Sequence, residues 1–103
     1  MTVLAVETKP SIQRKIVHIE AKPGSAAELR EALLELEAAT RGEPGCIAFS
    51  FFQALSSTGH FLLIEEFASP AALEEHLSAP YTRAFFTRNL TAAIAPVDKG
   101  WLS

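Results

Sequence analysis

The stretch CIAFSFFQALSSTGHFLLIEEF, residues 46–67, decides the fold. Two runs rich in aromatic and aliphatic side chains, 46–55 and 60–67, flank SSTG, whose small and polar residues favour a turn. Apolar runs bounded in this way read as two antiparallel strands joined by a hairpin. In the first run, alternation puts Ile47, Phe49 and Phe51 on one face and Cys46, Ala48 and Phe52 on the other. In the second, Phe61, Leu63 and Phe67 oppose Leu62 and Ile64. Both faces of this hairpin are apolar.

Working outward, IQRKIVHIEA at 12–21 is rich in β-branched residues and predicts an earlier strand, which KPGS then breaks. A helix follows over about Ser25 to Arg41. Leu29, Leu33, Leu36 and Thr40 recur on one side of it, while Glu28, Glu31, Glu35 and Glu37 are mostly left to solvent. GEPG at 42–45 stops that helix. Beyond the hairpin, Ser69 is an N-cap and Pro70 suits the first helical position, so a second helix opens there. Pro80 restarts it and the pattern runs to about Ile94. Pro96 ends it, leaving VDKGWL at 97–102 as a last short strand. Residues 1–11 read as an arm outside the core, and 12–103 as one domain.

The order β-α-β-β-α-β is the ferredoxin-like split pattern, an α+β fold on an antiparallel sheet. Helices packed on one side cover one face of a sheet whose faces are both apolar. A second copy of the chain is the expected cover for the other face.

Composition narrows the function. The 103 residues are 49% hydrophobic and 20% charged, which suits a single folded domain. A net charge of −3, with acidic residues spread along the chain, speaks against nucleic acid and against an anionic membrane surface. No apolar run approaches the ~20 residues of a membrane span. MTVLAVETKP has no basic residue before its apolar run, so it makes a poor signal peptide, and a cytoplasmic location is expected. Cys46 is the single cysteine, which excludes an internal disulfide.

Few residues offer chemistry. His76 sits beside the Leu73/Leu77 stripe, roughly 60° from Leu73 at ~100° per residue. It is either a core histidine bonded to backbone or to Glu65, or a group bordering a cavity between helix and sheet. Glu65 shares a strand face with Phe67, and its alternatives are an acid/base partner for His76 or a rim carboxylate beside Arg14, Lys15 or Arg83. Phe67, Tyr81, Phe85 and Phe86 line a pocket or fill a core. His18, with Ile16 and Glu20, reads first as a partly exposed strand residue. His18, His60, His76 and Cys46 lack metal-ligand spacing, and Cys46 reads as packing rather than as a nucleophile. There is no Gly-rich phosphate loop, nucleotide fingerprint or G-x-S-x-G elbow.

Three segments carry a resemblance: EAKPG after the first strand, ATRGEPGCIAFSFFQ into the second, and FLLIEEFASPAALEEHLSAPYTRAF. In order and spacing, over about residues 12–90, the chain resembles the antibiotic biosynthesis monooxygenase family, which includes small quinol monooxygenases. The resemblance implies a dimer of ferredoxin-like units whose sheets pack face to face into a dimeric α/β barrel. Glu65 and His76-Leu77 match the family's Glu-x-Trp and His-Leu positions, whereas Phe67 stands for the tryptophan and Tyr81 for a second histidine. Related haem-degrading enzymes use an Asn, Trp and His set. This chain instead has no asparagine in its first strand, Phe67 at the tryptophan position and Phe86 near the position of the haem-ligating histidine, so the resemblance does not imply haem degradation. The implied activity is cofactor-independent oxidation, with O2, of a small electron-rich aromatic such as a hydroquinone or an anthrone-like polyphenol. His76 would be base or proton shuttle, Glu65 would orient it, and Phe67, Tyr81, Phe85 and His18 would bind substrate. No flavin, haem or metal is expected. The alternative is a non-catalytic dimeric ligand-binding module on the same scaffold.

Overall fold

In the computed structural model, which describes residues 11–97, β2 (Cys46–Gln53) and β3 (His60–Phe67) pair antiparallel as the hairpin alternation requires. β1 (Gln13–Ala21) lies antiparallel along the other side of β3, and β4 (Thr91–Pro96) pairs antiparallel with β1. The sheet order is β2-β3-β1-β4. Helices α1 (Ala26–Thr40), α2 (Pro70–Ser78) and α3 (Pro80–Thr87) complete a ferredoxin-like βαββαβ domain, with the second helical segment split in two. The expected arm lies outside the described residues, save Ser11.

Local chemistry explains each boundary. The Ser69 hydroxyl accepts the Ala72 N–H at 3.1 Å, and Pro70 needs no partner for its missing N–H, so α2 starts there. Pro80 forces Ala79 into an extended conformation (ψ 144°), which separates α2 from α3. Gly45 lets α2 approach the start of β2. A Cβ at that position would lie 2.4 Å from the Ala72 Cβ.

The core lies between the sheet and the helices. Leu29, Ala32, Leu33 and Leu36 of α1 pack with Ile19, Phe49, Phe61, Leu63, Phe67, Phe85 and Leu90. Each large apolar side chain fully buried here contributes about 1.5–3 kcal/mol. Arg41 ties the end of α1 to β2, donating from Nε to the Phe49 carbonyl and from a terminal nitrogen to Ser50 Oγ, both at 2.9 Å. Glu37, expected at the solvent, is half-buried and accepts the Phe51 N–H at 2.9 Å.

Three expectations are corrected. The second helical segment ends at Thr87, not near Ile94: Asn89 takes a left-handed conformation (φ 56°) that breaks the helix. TAAIAP then forms β4, and the strand expected at 97–102 falls almost wholly outside the described residues. Second, β2 carries a bulge between Cys46 and Ala48. The extra residue, Ile47, is exposed, and Cys46 joins Phe49 and Phe51 on the helix side. Third, α2 buries His76 rather than Leu77, which faces solvent.

The far face of the sheet carries Ile16, His18, Phe52, Leu62 and Ile64, and among the described residues no helix lies over it. Among the described residues no helix is long and apolar enough to cross a membrane.

Candidate active site

Two tight turns place the residue that organises the site. In the loop between α1 and β2, the Glu43 N–H donates to the Thr40 carbonyl at 3.0 Å, and the Cys46 N–H donates to the Glu43 carbonyl at 3.1 Å. These bonds hold Glu43 under α2 and α3. Its Oε2 lies 3.0 Å from His76 Nδ1 and also accepts the Tyr81 hydroxyl. A carboxylate only accepts, so Nδ1 carries the hydrogen, and Nε2 is the basic nitrogen of the neutral ring. Nε2 has no hydrogen-bond partner among the described residues.

The imidazole is 4% exposed and rests against two aromatic rings. Its centroid lies 5.0 Å from that of Phe67 and 5.2 Å from that of Phe49. Glu65 shares this side of the sheet, pairing in register with Phe49 and with Lys15. It makes no hydrogen bond to His76. Burial raises its carboxyl pKa, against the lowering pull of His76 and Lys15. Tyr81 is pushed up to about 12, first by burial and then by the bond it donates to Glu43. Burial, then the nearby Glu43 charge, raises the Cys46 thiol, which keeps it protonated and a poor nucleophile.

The structure divides the residues singled out from the sequence. His76, Phe67 and Tyr81 come together, with Glu65 beside them. The partner of His76, however, is Glu43, not Glu65, and the rim pairing considered for Glu65 is absent among the described residues. Arg14 pairs with Glu66 instead. Phe85 is a core residue that meets Tyr81 along a crevice between α1 and α3. His18 stands on the opposite face of the sheet, 3.1 Å from His60 (Nε2 to Nδ1). Glu43 was legible only as part of the helix stop GEPG. Its signal was an acid held between glycines at the mouth of a strand, where a turn fixes the side chain. Among the described residues, no group of three or more His, Cys, Asp or Glu side chains is placed to hold a metal.

The sequence pattern of the antibiotic biosynthesis monooxygenases matches residues 13–88, from β1 to the end of α3. The chain belongs to that family. Among solved structures, PA3566 from Pseudomonas aeruginosa is 28% identical, with a TM-score of 0.78 over 87% of this chain and 91% of that one. A crystal structure of an antibiotic biosynthesis monooxygenase is 25% identical, with a TM-score of 0.70 over 84% of this chain and 97% of that one. The uncharacterised protein sll1783 of Synechocystis sp. is 28% identical over 81 residues, 79% of this chain. The chain spans 55% of the length of that relative. This family member therefore keeps the fold of its relatives, with a histidine, a carboxylate and a phenol tied together beneath α2 and α3.

Proposed function

We propose that the chain is a cofactor-independent monooxygenase, acting as a homodimer on a small electron-rich aromatic such as a hydroquinone or an anthrone-like polyphenol. The observation that carries this reading is His76, its Nδ1 fixed by Glu43 and its ring set among Phe49 and Phe67, in a chain of this family. His76 Nε2 takes the acidic proton of the substrate, and Glu43 holds the ring and stabilises the imidazolium that results. The substrate anion passes an electron to O2, the two radicals join in a carbon–oxygen bond, and loss of water leaves a carbonyl. One oxygen atom enters the product and the other leaves as water. The substrate supplies all four electrons, so the reaction needs no external reductant. Apolar walls keep water from the intermediates. The far face of the sheet, apolar and without a helix, is where the second copy packs.

Oxygen uptake with a panel of hydroquinones and anthrones tests this directly. Turnover by the parent, with a loss of about 10²-fold in His76→Gln, is the expected result. A second reading, a non-catalytic ligand-binding dimer, is favoured by one observation. None of the three principal hollows among the described residues is lined by His76 or Glu65. No oxygen uptake with any member of the panel, alongside measurable binding, would establish that reading instead.

A further inference from the structure

Glu43 offers one carboxylate oxygen to two donors. Its Oε2 lies 3.0 Å from His76 Nδ1 and also accepts the hydroxyl of Tyr81. In the proposed reaction only the first contact has a role. The backbone turns on either side of Glu43 fix where its side chain leaves the loop, but not where the carboxylate points. A glutamate keeps three side-chain torsions, and this one is 15% exposed, so water competes for its oxygens. A second protein donor settles the direction. Among the described residues, no side chain other than His76 and Tyr81 bonds to this carboxylate.

The break between α2 and α3 is what brings Tyr81 there. On one continuous helix Tyr81, five positions after His76, would stand ~140° around the axis from it, at ~100° per residue. The two side chains would then point to different sides. Ala79 is extended instead (ψ 144°), Pro80 restarts the chain as α3, and Tyr81 reaches the oxygen that His76 also reaches. Burial, and then this bond, push the Tyr81 hydroxyl up to about 12, so it still carries its hydrogen throughout the range in which a histidine changes charge.

We infer that Tyr81 is a positioning residue for the base: its hydroxyl holds Glu43 Oε2 on His76 Nδ1, keeps the ring hydrogen there, and so leaves Nε2 bare to take a substrate proton. Tyr81 is then not a substrate contact, against the role the resemblance implies. Its hydroxyl is committed to Glu43, and its ring meets Phe85 along the crevice between α1 and α3. The benefit to turnover rests on the proposed reaction, whereas the fixed imidazole does not.

Nitrogen-15 NMR of the histidine rings of the full chain tests the positioning without any substrate, because a ring nitrogen that carries hydrogen is distinguished from one that does not. In the parent, neutral His76 should be a single tautomer with the hydrogen on Nδ1. Tyr81→Phe keeps the ring and removes only the hydroxyl. Its His76 signals should move toward a mixture of tautomers, part of the way to those of Glu43→Ala, with the circular dichroism of the parent. A Tyr81→Phe spectrum in which His76 keeps the parent tautomer overturns the proposal. Kinetics with a hydroquinone give the second readout: kcat of Tyr81→Phe should fall about tenfold with KM unchanged. A raised KM with kcat kept would make Tyr81 a substrate contact and overturn the positioning role. If the parent takes up no oxygen, the proposed reaction falls, and the His76 tautomer alone decides the role of Tyr81.

Discussion

The two faces of this sheet are made from the same kinds of side chain and end in opposite conditions. On the helix side, Phe49 and Phe67 are 2% and 0% exposed and enclose His76. On the far side, Phe52 is 53% exposed beside His18 and His60. The histidine on the covered face is held by a carboxylate that also accepts a phenol hydroxyl, while the bonding partner of His18 on the open face, among the described residues, is another histidine. What a polar group in a strand or helix can do depends on the layer above it. A dry layer fixes protonation and geometry, and an open one leaves the group available to a partner or a ligand.

The largest expected effect separates the faces by stability. Phe49→Ala should cost about 3–5 kcal/mol, the scale for removing a fully buried aromatic ring, and thermal melting measures it. Phe52→Asp should leave the chain folded by circular dichroism, yet abolish the proposed dimer in sedimentation, because the charge would be buried unpaired between two sheets. Loss of folding in Phe52→Asp, or a parent that is already monomeric, would break the comparison.

Gly45 tests how closely the covered face is packed. Gly45→Ala puts a methyl 2.4 Å from the Ala72 Cβ, so α2 must shift, and about 1–3 kcal/mol of stability should go with it. Gly42→Ala meets only ordinary contact at 3.5 Å and should be close to neutral. Equal melting temperatures in the two variants would contradict the close approach of α2 to β2.

Tyr81 is the single tyrosine, so the ultraviolet absorption of its phenolate can be followed alone. The phenolate should form only near pH 12 in the folded chain. The folded value lies above the ordinary one of about 10, so the stability this group contributes is complete below pH 10 and is lost as pH rises from there to about 12. Glu43→Gln removes the charge that accepts the hydroxyl, and the titration should move back toward 10. An unchanged titration would show that Glu43 does not hold Tyr81 in solution.

The smallest effect concerns Glu65. Its folded pKa is raised, so the folded chain holds that proton more tightly than the unfolded one does. Stability from this group is therefore greatest in acid and declines as pH rises from the ordinary carboxylate value through the raised one. Glu65→Gln removes the penalty of a buried charge and should raise Tm at neutral pH by roughly 1–4 °C, with no gain in acid. A lower Tm at neutral pH would mean that the charge is compensated after all.

Much of this protein was legible in the residues. The hairpin at 46–67, the Ser69-Pro70 start, the Pro80 break and the Leu29/Leu33/Leu36 stripe are local signals, each acting through one or two neighbours, and together they give the ferredoxin-like order. The strand β4 was missed because the hydrophobic pattern of 81–94 continues a helix, while the break depends on the left-handed backbone of a single residue, Asn89. Residue facing in β2 was misread at Cys46 because one bulge reverses the alternation behind it.

Tertiary structure alone decided the site. The sequence offered His76 with Glu65, eleven positions apart, whereas the fold bonds His76 to Glu43, thirty-three positions away on another element. It also set His18 against His60 across forty-two residues and turned that pair away from His76. Periodicity reports which way a side chain points from its own strand or helix. Which charge it meets depends on how two elements dock, and that is settled by packing over the whole core.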